Sequence, residues 1–281
     1  MSDATEPVET PPLPASPHPT VVVTAPPRKR RKVWPFVLIA VVLVVLIVGF
    51  FVANAAVTSY AQNEIKQKVI AALGVDPKTD VDVKLGGGSV LLQALSGKLK
   101  TVDVTIPKLA FGDLVGSATL NATEVPLDQN QPLQKLAITY SVSEKDVRVL
   151  ASDLSGAKLD TITLEKPEIV AKTTLSVFGF GIPVGLGLTP SASKGQLVFT
   201  PTTILVSGQK FTSKQLIATP GLGSLARDLL QQQSFCVAQY LPKALEVTSV
   251  KVVAHQLVLK ISGDGAALGG SAFSTKGSCG G

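Results

Sequence analysis

Hydrophobic and polar positions follow three different rhythms along this chain. From Val33 to Val52 there is no alternation at all: the stretch is uncharged and dense in Val, Leu, Ile and Phe. About 20 helical residues at 1.5 Å each span a hydrocarbon core of ~30 Å, so this segment predicts a transmembrane helix. From Tyr60 to Leu73 the apolar positions Val69, Ile70 and Leu73 share a side, which predicts a helix continuing from the anchor, with Gly74 as its stop. After Asp76-Pro77 the period falls to two. Val81, Val83 and Leu85 alternate with Asp80, Asp82 and Lys84, and Val102, Val104 and Ile106 alternate with Thr101, Asp103 and Thr105. The same rhythm returns in Ala118–Leu120–Ala122, in Leu136–Ile138–Tyr140–Val142 and in Leu257–Leu259–Ile261. Such runs predict half-buried strands with one apolar face, as in antiparallel sheets. Three stretches read as helical instead: Val90–Leu95, Glu144–Leu154 and Leu222–Gln232. The sum is an α+β fold of mostly antiparallel strands with few helices.

One run is unusual. Between Phe178 and Leu188 the even positions are all large and apolar (Phe178, Phe180, Ile182, Val184, Leu186, Leu188), and the odd ones are Gly179, Gly181, Pro183, Gly185 and Gly187. It lies inside a second uncharged stretch, Thr173 to Ser193. Glycine weakens a strand unless something approaches its backbone closely, and Pro183 cannot donate to a ladder. Two readings follow: an apolar wall or rim contacting acyl chains or a membrane surface, or a helix packed closely on the glycine face. Leu95-Ser96-Gly97-Lys98-Leu99 and Leu154-Ser155-Gly156-Ala157-Lys158-Leu159 form a faint repeat, each copy following a short helix and leading into a strand.

Charge orients the anchor. Arg28, Lys29, Arg30, Arg31 and Lys32 form a basic block directly before it, which the positive-inside rule places in the cytoplasm. The preceding segment has eight prolines and no aromatic residue, a composition that cannot bury enough apolar surface to fold. The chain therefore divides into a disordered cytoplasmic tail (1–32), a transmembrane signal anchor (33–57) and an extracytoplasmic domain (58–281), a single-pass protein of the cell membrane. A cleaved signal peptide is the competing reading, with Ala53-Asn54-Ala55 as an A-x-A-like site. Cys236 and Cys279 are the two cysteines, both on the external side, an arrangement that suggests a disulfide.

Composition removes most chemistry. Two His, two Cys and one Trp are a poor supply for metal clusters, haem or histidine-based catalysis, and no catalytic residue, metal site or cofactor is expected. His255 lies in an apolar run and reads as structural. Ser191-Ala192-Ser193-Lys194 and Ser155-Gly156-Ala157-Lys158 fit S-x-x-K, but the companion motifs S-D-N and K-T-G are absent. Gly86-Gly87-Gly88 reads as a turn before a phosphate cradle, and Asp76, Asp80 and Asp82 as a solvated face before a metal site. Beyond residue 32, 21 Lys and Arg stand against 17 Asp and Glu, too diffuse for nucleic-acid recognition but mildly suited to an anionic lipid surface.

The order of these features resembles a known family. An anchor and a helix ending near Gly74 lead to the Val81–Leu85 strand, then Gly86-Gly87-Gly88-Ser89-Val90-Leu91-Leu92-Gln93-Ala94-Leu95 and Gly97-Lys98-Leu99-Lys100-Thr101-Val102. Phe235-Cys236-Val237-Ala238-Gln239-Tyr240-Leu241-Pro242, Val247–Val253 and Cys279 follow near the end. Over roughly residues 60 to 281 the chain is similar to the LmeA-like phospholipid-binding proteins of actinobacterial cell envelopes. The resemblance implies a fold related to tubular lipid-binding proteins: a long, curved, mostly antiparallel sheet wrapping a helix and leaving an apolar gutter. It also implies phospholipid or envelope-glycolipid binding in support of lipid or lipoglycan assembly, with no catalytic residues to carry over. Candidate wall residues are Leu91, Leu92 and Leu95 on the short helix, with Val104, Ile106, Ile138, Tyr140, Phe178, Phe180 and Ile182 on strands; an ordinary core role is the alternative for each. The expected partners are this lipid and the membrane, with no nucleic acid; protein partners are unknown. The rival function is an anchored scaffold or interaction protein with a solid core.

Overall fold

A computed structural model describes residues 34–73, 75–111, 114–155, 160–177, 179–218 and 230–279. The chain divides into two units, Met1–Ile47 and Val48–Gly281. In the first, the described residues 34–47 are helical, and the described side chains from Ile39 on are exposed. The tail and basic block fall outside the described residues, as do Gly74 and Phe178. Helix α1 (Trp34–Leu73) is one unbroken element where the sequence predicted two adjoining ones. Among the described residues Ile39–Ala71 is the stretch long and apolar enough to cross a membrane, with mean hydropathy 2.8. Its 40 residues extend about 60 Å, roughly twice a hydrocarbon core.

The second unit is α+β, and every strand pairing in it is antiparallel. The first sheet begins with β1 (Asp82–Gly86), α2 (Val90–Leu95), β2 (Lys98–Phe111), β3 (Leu114–Pro126) and β4 (Lys135–Ser143). Helix α3 (Glu144–Ser155) then leads to a second sheet of β5 (Thr161–Glu165), β6 (Glu168–Val177), β7 (Phe180–Ser193), β8 (Gln196–Val206), β9 (Gln209–Thr212) and β10 (Gln233–Cys236), with helix α4 (Ser213–Ala218) after β9. The hairpin β11 (Glu246–Val253) and β12 (Gln256–Ser262) returns to the first sheet, and a short α5 (Ser271–Ser274) follows. The sheet orders are β1-β2-β3-β4-β12-β11 and β10-β8-β7-β6-β5, with β9 on β8. The antiparallel strands thus form two open sheets. They share one core, in which Val247, Val250 and Val252 of β11 cluster with Ile162, Leu164 and Ile169 of the second sheet. Register shifts at Ile106/Leu109, Gly187/Leu188 and Val247/Ser249 place bulges, which bend strands, in both sheets.

The predicted strands and the helices α2 and α3 lie where the patterns place them. Of the third predicted helix, Leu222–Gln232, residues 222–229 are outside the described residues, and the chain enters β10 at Gln233. Both copies of the faint repeat sit between a short helix and a strand, α2–β2 and α3–β5. His255 does not lie within a strand. It forms with Ala254 the two-residue turn of the β11–β12 hairpin, both at positive φ (60° and 48°), with its Nδ1 3.9 Å from Glu144 Oε2. Cys236 and Cys279 are bonded, 43 residues apart in sequence.

The glycine face of β7 is closely approached by its neighbouring strands. Side chains of the flanking strands lean over it. A Cβ at Gly181 would meet Thr174 at 3.1 Å, one at Gly185 would meet Lys172 and Leu205, and one at Gly187 would lie 3.0 Å from Thr203 and 3.1 Å from the Glu168 carboxyl. At Gly187 the space admits Glu168. It is a buried carboxylate that accepts from Thr202 (2.7 Å) and from Thr203, and pairs with Lys210 Nζ at 2.9 Å. Burial pushes its carboxyl up, but the hydrogen bonds from Thr203, Thr202 and Lys210, with the Lys210 charge, outweigh that and hold it below its ordinary value of 4.5. A carboxylate with a lowered folded-state pKa stabilises the fold above its unfolded value, and that contribution fades as pH falls through the folded one. Glu168→Gln is therefore expected to cost about 1–3 kcal/mol at pH 7. The gap to the parent protein should close as denaturant melts are repeated from pH 5 downward; a pH-independent gap would remove the carboxylate from the account.

Candidate functional site

The site is built on the inner face of the first sheet. Strand alternation puts Val83, Val104, Leu120, Ile138, Ile261 and Val247 in one row, each the register partner of the next across all six strands. The ends of the row are deeply buried: Val83, Val104 and Val247 expose 6%, 4% and 6%. The middle is not, since Leu120, Ile138 and Ile261 are half-buried, as are the neighbouring Ala122 and Leu259. An apolar band therefore opens at the centre of a face whose margins are sealed.

Helix α1 seals one margin. Val57, Ala61, Ile65 and Val69 recur every fourth residue on one helix side and pack with Ile70 into the core. Gln62 Nε2 donates to Val83 O of β1 at 2.9 Å. Asn54 Oδ1 accepts from Ser89 Oγ (2.7 Å) and from Leu91 N (3.1 Å), tying the helix to the start of α2. Gly87 and Gly88, at φ 86° and 102°, turn the chain into α2. The buried Gln93 side chain bridges that turn to β2, donating to Gly86 O and accepting from Lys100 N. Packing on this domain thus starts at Asn54, ahead of the boundary at residue 58 that the composition suggests. Leu73, placed on the apolar side by the sequence, is 43% exposed.

The predicted wall residues divide into three groups. Val104, Ile106 and Tyr140 are core, and Ile106 is fully enclosed. The Tyr140 hydroxyl donates to Leu109 O at 3.0 Å, and burial, then the Asp146 charge, push it up to about 12. Ile138, Leu91 and Ile182 are half-buried. Leu92, Leu95 and Phe180 stand out into solvent, Leu95 and Phe180 at nearly four-fifths exposure. Only Ile138 of these lies in the open band. Its companions Leu120, Ala122, Leu259 and Ile261 were visible as alternating positions, but alternation assigns a face without a depth.

The discounted motifs also have places. Ser191 lies on β7 with its hydroxyl toward Val198 O (3.5 Å), and Lys194 sits in the β7–β8 turn at φ 47°. Asp76 accepts from Lys78 N in a turn at 2.7 Å, and Asp82 pairs with Lys84 at 3.0 Å.

A family model described as LmeA-like phospholipid-binding matches residues 52–262, well over half of the chain. The chain belongs to the LmeA-like phospholipid-binding family. The match begins within α1, two residues before Asn54, and ends with β12. It therefore leaves Cys279 outside, although the sequence resemblance leans partly on that residue. Searches of curated proteins and of solved structures returned no match. For this LmeA-like chain the clamp between α1 and α2 gives a direct test. Asn54→Ala is expected to cost about 0.5–2 kcal/mol, the range for losing a side-chain cap. Amide exchange should rise across residues 89–96 while β11 and β12 stay protected; unchanged exchange there would mean that Asn54 does not hold α2.

Proposed function

We propose that this protein is a membrane-anchored, extracytoplasmic, non-enzymatic binder of phospholipid or a related envelope lipid. The observation that carries this reading is the half-buried row Leu120–Ile138–Ile261, open within an otherwise sealed core, in a chain of a phospholipid-binding family. Covering the rest of one such side chain contributes on the order of 1 kcal/mol, so several together hold an acyl chain with no specific polar contact. The helix length, the basic block ahead of it and the disulfide support a single-pass anchor with a cytoplasmic N-terminus and an external domain. In that setting the protein would support lipid or lipoglycan assembly of the envelope. The exposure of Leu92, Leu95 and Phe180 suits contact with a lipid surface as cargo enters.

Lipid extraction and native mass spectrometry of the purified full chain test the reading. Co-purified phospholipid is expected. Ile138→Glu should abolish it while the fold persists, because the side chain points into the half-open band. Phe180→Glu should leave the bound lipid in place but slow uptake from vesicles. A well-folded, lipid-free parent protein would sink the proposal and favour the anchored interaction protein instead.

A further inference from the structure

The apolar row does not stop at Ile261. Its next register partner, Val247, forms the floor of a second feature, a pocket of about 360 Å³ at the β11 edge of the sheet. Leu241 and Leu245 complete that floor, and both belong to or pack on the core. Lys194, Lys243 and Lys276 line the same pocket, with Glu246 its single carboxylate. Among the described residues none of the three lysines is in a salt bridge, whereas Lys68, Lys84, Lys98 and Lys210 are.

These cations come from three separate parts of the chain and are positioned by backbone. Lys194 is at the tip of the β7–β8 turn, and Gly195 O beside it accepts from Val237 N and Ala238 N. Lys243 N donates to Thr275 O at 2.8 Å, and Gly277 N to Leu241 O at 3.0 Å, docking the C-terminal strap on the segment before β11. The Cys236–Cys279 bond fastens the end of this strap to β10, and Lys276 Nζ donates to Tyr240 O at 3.0 Å. Two glycines permit the close approach: a Cβ at Gly195 would meet Ala238 Cβ at 2.9 Å, and one at Gly277 would meet Ala238 O at 2.9 Å.

We propose that Lys194, Lys243 and Lys276 bind the phosphate of a lipid headgroup whose acyl part enters past Val247, which lines the same pocket, and lies along Ile261, Ile138 and Leu120. This rests on the lipid-binding reading above and gives it a direction, with the headgroup at β11 and the chain running toward β3. Four adjacent strands about 4.8 Å apart make that row roughly 14 Å long, a reach suited to an extended acyl chain. An apolar floor under a cationic rim is the complement of an anionic amphiphile, and neither half alone would favour one over a plain hydrocarbon or a free anion.

The test uses the full chain in a maltoside detergent, titrated by native mass spectrometry with three probes: dihexanoylphosphatidylglycerol, dihexanoylglycerol and inorganic phosphate. The parent protein should bind the phosphatidylglycerol roughly tenfold or more tightly than the dihexanoylglycerol, a preference shrinking as ionic strength rises. The triple variant K194Q/K243Q/K276Q should lose that preference and keep its affinity for dihexanoylglycerol; the triple arginine variant should retain it. All three lysines are exposed, and circular dichroism checks the fold; single K243Q and K276Q variants repeat the comparison if the triple one does not fold. Equal phosphatidylglycerol binding by the glutamine variant would overturn the headgroup assignment and leave the lipid reading standing. Lysine-dependent binding of inorganic phosphate with no preference between the two lipids would identify a free-phosphate site and overturn it as well. Failure of the parent protein to bind either lipid would defeat the lipid reading itself.

Discussion

The fold depends on one act of burial: the apolar face of the first sheet must be covered, and the later part of α1 covers it. Every strand of that sheet alternates, so its inner face is a continuous apolar surface that water would otherwise meet. Val57, Ala61, Ile65, Val69 and Ile70 supply the cover on the β1 side. Glu64 and Lys68 pair across the exposed side of the same helix at 3.6 Å. An element apolar enough to enter a membrane is thereby also a structural member of the domain that follows it. The two hydrogen bonds to Asn54 and the one from Gln62 fix its register against β1 and α2, which burial alone would leave free to slide. Cleavage after Ala55 would remove Asn54 and with it the contacts to Ser89 and Leu91.

The open band is a consequence of how that cover ends. Val83 and Val104 are buried at one end of the row, and β11 clusters with the second sheet at the other. Between these ends lie β3, β4 and β12, whose central side chains, Leu120, Ile138 and Ile261, are neither enclosed nor solvated. A solid core would close this gap with one more large side chain. The small Ala122 on β3 does the reverse, keeping the strand beside Leu120 low. Tyr140 marks the boundary, since its ring is buried beside Ala118 and its hydroxyl is satisfied within the sheet by Leu109. That hydroxyl is thus already occupied within the sheet.

How much of this was legible depended on the physical signal each part emits. Period two is a local property, so β1, β2, β3, β4 and β12 could be read directly, as could the apolar spacing of the two short helices α2 and α3. Burial depth is set by what packs above a strand, and no spacing encodes it; Ile106 and Ile138 occupy equivalent positions of the alternation, yet one is fully enclosed and the other open. Leu95 and Phe180, apolar by the same patterns, stand exposed. The glycine run of β7 was legible as a need for space but not as to what fills it, because Glu168 and Thr203 reach it from β6 and β8. The Ala254-His255 turn carries no Gly or Asn, the usual signal for two residues at positive φ, and so passed for strand. Asn54 was read as part of a cleavage-like triplet, since its partners lie about 35 residues away in sequence.

The cysteine pair gains a role from its position. Its loop entropy, about 4 kcal/mol in the chain-entropy model, would be a general stabiliser anywhere in the domain. Here it closes a strap that lies beyond the family-matched segment and carries Lys276 to the edge where the apolar row ends. The strap contributes little hydrophobic burial of its own: α5 buries no residue, and Gly277 and Ser278 have no apolar side chain to offer. Backbone hydrogen bonds to Lys243 and Leu241 would not hold so polar a segment against the entropy of a free terminus, which is of order 1–2 kcal/mol per ordered residue. The covalent bond shifts that balance by shortening the free chain. Lys276 therefore lines the pocket at the β11 edge in the oxidised protein, and the arrangement of charge at that edge depends on the disulfide.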